Sequence, residues 1–151
     1  MLNQTADHAI RALLALARYG DGGPMRVEEL AERTGAPRNY LGKTLNGLVK
    51  GGYLRSARGP LGGFALAASP DAITIGEIAD LFTEARAPRR CLLGNGLCDA
   101  SRPCGAHGRW IAMATAARAP LDNTTLADLL ADDADAPLLA AIGAASHAGS
   151  F

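Results

Sequence analysis

Glycine and proline cut the first seventy residues into pieces that suit short helices and one hairpin, not a large sheet. The breaks fall at Gly20 with the DGGP that follows, at Gly35, at Gly51-Gly52 and along ARGPLG. Each is a place where a helix stops or a chain turns. In residues 5–19, Ile10, Leu13, Leu14 and Ala17 keep the i, i+3, i+4, i+7 spacing of one helix face. Residues 27–33 make a second, shorter helix with Leu30 and Ala31 inward. Pro37 suits the first turn of a third helix, striped by Leu41, Leu45, Leu48 and Val49. Two strand candidates follow, 53–56 and 63–66, joined by a basic Gly/Pro loop in the manner of a wing.

Beyond the wing, Thr74 and Glu77 form a capping box, and Ile73 and Ile78 can staple the same helix start. That fourth helix carries Ile75, Ile78, Leu81 and Phe82 on one face. A fifth, over 104–119, carries Trp110, Met113, Ala114 and Ala117 at helical spacing, and 125–130 suits one more short helix. The Ala/Asp-rich end is low in complexity, with 137–146 as a further helix candidate. The expected architecture is mainly α. It has a winged helix-turn-helix domain (1–84), a cysteine loop (85–103), a long dimerisation helix with a short packing helix (104–131), and a mobile tail (132–151).

A chain of 151 residues that is 48% apolar holds about one domain with a proper core. No apolar run approaches the roughly 18 residues of a membrane span. Asp7, His8 and Arg11 interrupt any signal-peptide pattern, so a cytoplasmic protein is expected. Net charge is zero, which by itself argues against nucleic acid. Its distribution argues otherwise. Residues 1–70 hold nine Lys/Arg against five Asp/Glu, and residues 111–151 hold one Arg against five Asp. A basic front and an acidic end is the asymmetry of a DNA binder.

Two short helices joined by a Gly-containing turn are the helix-turn-helix signature, and the second reads the major groove with its N-terminal residues. Here those are Arg38, Asn39, Tyr40 and Lys43. Arg pairs bidentately with guanine and Asn with adenine, while Tyr40 and Lys43 suit phosphates. The wing adds Arg55, Arg58 and Gly59; an Arg on such a loop reaches a minor groove. The competing reading is a packing unit whose basic side chains are merely solvated.

All three cysteines, Cys91, Cys98 and Cys104, fall within fourteen residues, and His107 follows one helical turn later. Clustered thiols in odd number plus an imidazole suit soft-metal ligation better than a disulfide framework. Four donors fit an Fe–S cluster, with [2Fe–2S] favoured over [4Fe–4S], or a structural zinc of the three-Cys, one-His kind. Gaps of six and five residues are loose for zinc knuckles and suit a loop wrapped on a larger cluster. A thiol switch and a Cys–His hydrolase are the other chemistries. The hydrolase fits poorly, because it needs a nucleophile on a rigid element and an oxyanion hole. Asp7 reads as a helix-start charge favoured by the macrodipole, or as a carboxylate reaching a partner chain's cluster.

ADHAIRALLALA, VEELAERTGAPRNYLGKTLNGLVKGGYLRSARGPLGGFAL, ITIGEIAD, the C-x₆-C-x₅-C-x₂-H pattern and TTLADLL resemble, in that order, the Rrf-type family of bacterial iron–sulfur transcription regulators. The resemblance spans roughly residues 1–131 and includes IscR-like and NsrR-like branches. It implies a homodimer on a palindromic double-stranded promoter site, with the helix after the cysteine loop as the dimer contact. It also implies an Fe–S cluster whose state sets DNA affinity. Cys91, Cys98 and Cys104 take the positions of the family's cysteine ligands. His107 matches the histidine of the IscR-like branch, and Asp7 the carboxylate that some NsrR-like members draw from the partner chain. Three positions depart from the pattern. The first cysteine gap is six residues where five is common, Gly42 replaces a residue that is often charged, and Arg26 stands where a Ser or Thr cap is usual.

Overall fold

The computed structural model describes residues 3–83, 93 and 96–132. The chain runs α1 (Gln4–Tyr19), α2 (Val27–Thr34), α3 (Arg38–Lys50), β1 (Leu54–Ala57), β2 (Gly63–Leu66), a 3₁₀ turn (Pro70–Ala72), α4 (Ile75–Phe82), α5 (His107–Asn123) and α6 (Leu126–Asp132). This is the expected mainly α winged helix-turn-helix. Cys91, part of the expected cysteine loop and the candidate helix at 137–146 lie outside the described residues.

α1 is the hub. Eight of its residues are buried, Leu13 completely, because its apolar positions wrap more than one face. It packs against α2, α3, α4 and α6. Leu30, Leu41, Leu45, Leu48, Ile73, Ile78 and Leu126 close the same core with no exposure. Burying each such side chain is worth about 1.5–3 kcal/mol. Asn3 caps α1, accepting from the Ala6 N–H at 2.8 Å, and its amide donates to the Phe82 carbonyl at 2.7 Å. The start of α1 is thereby pinned to the end of α4.

α2 stops at Gly35, whose φ of 68° is the left-handed conformation that lets the chain reverse into α3. β1 and β2 pair antiparallel, Leu54 opposite Leu66. The first strand begins one residue later than its sequence pattern, since the Tyr53 N–H still bonds back to the Leu48 carbonyl at 3.0 Å. Met25 adds a bridge to Phe64, with reciprocal N–H to carbonyl bonds of 2.9 and 2.8 Å. Only a glycine fits at position 63 beside that bridge: a Cβ there would sit 2.3 Å from the Met25 carbonyl oxygen.

The capping box at α4 forms as the sequence predicts. The Glu77 N–H donates to Thr74 Oγ1 at 3.3 Å, and the Thr74 N–H to Glu77 Oε2 at 3.0 Å. Thr74→Ala is expected to cost about 1 kcal/mol, read as a lower midpoint in urea with unchanged slope. One inward position is corrected. Leu81 is exposed and lies over Gly51, while Phe82 turns in to cover Gly47 of α3. An eight-residue helix has room for one face, and Ile75 and Ile78 fill it.

α5 departs most from its sequence reading. It begins at His107, not 104, and continues through Pro120 to Asn123. Pro lacks an N–H and ordinarily breaks a helix interior. Here the residues beyond it are held from outside. The Ile75 N–H bonds the Thr124 carbonyl at 2.9 Å and the Leu126 N–H bonds the Ile73 carbonyl at 3.0 Å. Arg118, tied to Asp80 and Gly76 of α4, also grips Asp122 one turn on.

Candidate DNA interface and cysteine site

The first turn of α3 presents Arg38, Asn39 and Tyr40, all exposed, with Lys43 exposed one turn on. The α3 N-terminus lacks a side-chain cap; the Tyr40 and Leu41 N–H groups bond back to the Pro37 carbonyl, and the helix dipole at this end favours negative charge. Arg38 forms an ion pair with Glu28 of α2. That pair is exposed and weak in water, and it holds the guanidinium near the helix start. The Tyr40 hydroxyl hydrogen-bonds Thr5 of α1, and the ring meets His8 edge-on at 5.6 Å between centroids. Tyr40 therefore also fastens the recognition helix to the hub.

The wing shows a similar division of labour. Arg58 and Gly59 lie exposed in the loop, where Gly59 has a φ of 104°. The Gly62 N–H closes a turn on the Gly59 carbonyl at 2.9 Å. Arg55 folds back, donating to the carbonyls of Leu66 at 2.8 Å and Gly22 at 3.2 Å. Arg26, which gives α2 no cap, donates to the Pro60 carbonyl at the wing tip. Arg26 thus braces the loop that Arg58 occupies, and Arg55 ties the base of the hairpin to the turn after α1.

The described thiols, Cys98 and Cys104, are both half-buried and in no disulfide. His107 opens α5, its N–H bonded to the Cys104 carbonyl at 2.9 Å. Its Nδ1 lies 3.1 Å from Cys98 Sγ. Two members of the donor set, nine residues apart in sequence, therefore meet at the N-terminus of the long helix. Among the described residues no group of three His, Cys, Asp or Glu side chains is close enough to hold a metal. Next to Cys98, Asp99 accepts from the Ser101 hydroxyl at 2.7 Å and the Ser101 N–H at 2.8 Å, which holds its carboxyl below the usual range. That Asx turn shapes the loop between the two cysteines. Asp7 pairs with Arg11 at 2.9 Å, one turn along α1.

Among the described residues, α5 has an exposed face. None of its residues is buried; Met113 is 56% and Ile111 37% exposed, with Trp110 and Ala114 half-buried beside them.

A family model described as "Iron-dependent Transcriptional regulator", that of Rrf2, matches residues 2–132. The chain belongs to the Rrf2 family. Among curated relatives, protein rrf2 of Nitratidesulfovibrio vulgaris is 32% identical over 131 residues, covering 87% of each chain. The HTH-type transcriptional regulator IscR of Escherichia coli is 30% identical over 129 residues, 85% of this chain and 79% of its own. Among solved structures, CymR, the global cysteine regulator of Bacillus subtilis, superposes with a TM-score of 0.74 at 26% identity, covering 87% of this chain and 97% of that one. This Rrf2 chain is accordingly a DNA-binding transcriptional regulator and not an enzyme, and the hydrolase chemistry falls away. No described helix is long and apolar enough to cross a membrane.

Sequence reasoning missed Glu28, whose ion pair with Arg38 crosses between helices. It also missed the bracing roles of Arg26 and Arg55, and Arg118, which reaches α4 from 38 to 42 residues away. No local pattern marks such partners.

Proposed function

We propose that this Rrf2 regulator acts in the cytoplasm as a homodimer on a palindromic promoter site, with a DNA affinity set by an Fe–S cluster. The observation that carries the reading is the 3.1 Å approach of Cys98 Sγ to His107 Nδ1. Two donors sharing one tetrahedral metal, with bonds of about 2.3 and 2.1 Å, lie about 3.6 Å apart. The pair thus already stands near the separation that shared ligation needs. Thiolates with one histidine are a donor set that Fe–S clusters accept. Cys91, Cys98, Cys104 and His107 would hold the group, and bound there it supplies redox and ligand-exchange chemistry that responds to iron, oxidants or nitric oxide. The chain's part is to tie the loop to the first turn of α5. Asp7 is engaged by Arg11, which favours His107 over a partner's carboxylate as fourth ligand.

Arg38 and Asn39 would read base edges, Lys43 and Tyr40 phosphates, and Arg58 with Gly59 the minor groove, while Arg55 supports the wing from behind. Arg38→Ala is expected to cost about 1–3 kcal/mol at the cognate site and to relax base choice at one position per half-site. Competition binding with single-base operator variants checks this.

Anaerobic purification tests the cluster. A coloured protein with iron and sulfide in equal amounts is expected. A colourless protein with one zinc per chain would replace this reading with a structural metal site. A second reading, a thiol switch, draws on the same contact, because a thiol beside an imidazole is poised for oxidation, and on the likeness to CymR. A metal-free protein whose DNA affinity follows thiol oxidation would support it.

A further inference from the structure

α5 is long, bears no buried residue, and touches the DNA-binding body near its C-terminal end. Beyond its end the Thr124 carbonyl and the Leu126 N–H bond to Ile75 and Ile73, and Leu121 packs against the core. Within the helix the polar anchor is Arg118. The guanidinium donates through Nη1 to Asp80 Oδ1 at 2.8 Å, through Nη2 to the Gly76 carbonyl at 3.0 Å, and through Nε to Asp122 Oδ1 at 2.6 Å. Hydrogen bonds to Asp80 and Asp122 raise its pKa well beyond the ordinary arginine value, so the charge is permanent. The fit is close. A Cβ at Gly76 would lie 2.1 Å from Asp122 Oδ1 and 3.1 Å from Arg118 Nη2. The other end of α4 meets α3 through a side chain. Phe82 lies over Gly47 of α3, where a Cβ would come within 2.8 Å of its ring. A line of contacts therefore runs from α5 through Arg118 and α4 to Phe82 and Gly47 of α3.

We infer that Arg118 is a positioning residue that fixes the angle between α5 and the DNA-reading body, and so sets the half-site separation the regulator accepts. The inference rests on the proposed dimer through α5. If two copies meet along the outer turns of α5, the angle at its anchor decides where each recognition helix points. His107 lies about 16 Å beyond Arg118 at 1.5 Å rise per residue, so a tilt of about 10° moves that end by about 3 Å. One base-pair step is about 3.4 Å, so such a tilt matters to spacing. A simple surface ion pair would not have this effect. The forked arginine holds two carboxylates and a backbone carbonyl at once, which fixes direction as well as distance.

The test uses the full-length, anaerobically purified protein and duplexes with two half-sites from its own promoter, their separation stepped one base pair at a time. Wild type is expected to be a dimer that prefers one separation. Arg118→Ala is expected to flatten that preference on the order of tenfold, with unchanged affinity for an isolated half-site and unchanged visible absorption. Asp80→Ala, which removes one exposed acceptor and leaves the core untouched, is expected to flatten it too, and serves if Arg118→Ala does not fold. A folded, dimeric variant with the wild-type spacing profile would overturn the inference alone. A monomeric wild type, or one indifferent to spacing, would overturn the dimer reading and the inference with it.

Discussion

Trp110→Glu is expected to turn the regulator into a monomer and to weaken binding to a palindromic site by about two orders of magnitude or more. The exposed face of α5 is the reason. Seventeen helical residues without one buried side chain are unusual in a chain this small, and Met113 and Ile111 stand open to water beside Trp110. A second copy of the helix would bury them around the half-buried indole. A carboxylate at that spot would have to be desolvated in the interface, at a cost of several kcal/mol when unpaired. The body would stay folded, because its core rests on α1, α3 and α4. Sedimentation at micromolar concentration reads the dissociation, and a half-site duplex, bound with unchanged affinity, separates it from damage to the DNA-reading face.

Cys98→Ala carries the other large effect. It removes the thiol that faces His107, and the visible absorption of the anaerobically purified protein is expected to disappear. The variant's DNA affinity should equal that of cluster-free wild type, and no iron or nitric-oxide treatment should change it. The gap between loaded and unloaded wild type is expected at about 5- to 150-fold, the usual span of coupling between sites. Cys104→Ala should behave alike. His107→Ala should shift the spectrum and leave part of it, since one imidazole is exchanged more readily than a thiolate.

The fold was legible where its determinants are local. Leu13 and Leu14, Leu41, Leu45 and Leu48, and the Thr74–Glu77 box each announce a helix from within one or two turns. Gly35, with its positive φ, marks the turn between α2 and α3 for the same reason. The length of α5 was not legible. Pro120 reads locally as a stop, and only contacts from residues 73–80 carry the helix past it. The candidate site divides along the same line. The basic first turn of α3 and the C-x₆-C-x₅-C-x₂-H spacing are patterns in the chain itself. The second duties of Arg55 and Tyr40, the ion pair of Arg38 with Glu28 and the grip of Arg118 on α4 depend on partners tens of residues away or on a neighbouring helix. No residue-level signal pairs them before the chain is folded. The cysteine spacing likewise gives the donor set, while the meeting of Cys98 with His107 needs the Asp99–Ser101 turn and the start of α5 to bring it about.

The state of the cysteine site is expected to govern how tightly this regulator holds its promoter. The most direct measurement is one titration done twice: a fluorescent fragment from the protein's own promoter region, with anaerobic loaded protein and with the same preparation stripped by a chelator and oxidant, then reduced to restore its thiols. Two curves displaced by at least about fivefold are expected, collapsing to one in Cys98→Ala. Superimposable curves for loaded and stripped wild type, on every native promoter fragment, would contradict this even if the protein carries a cluster.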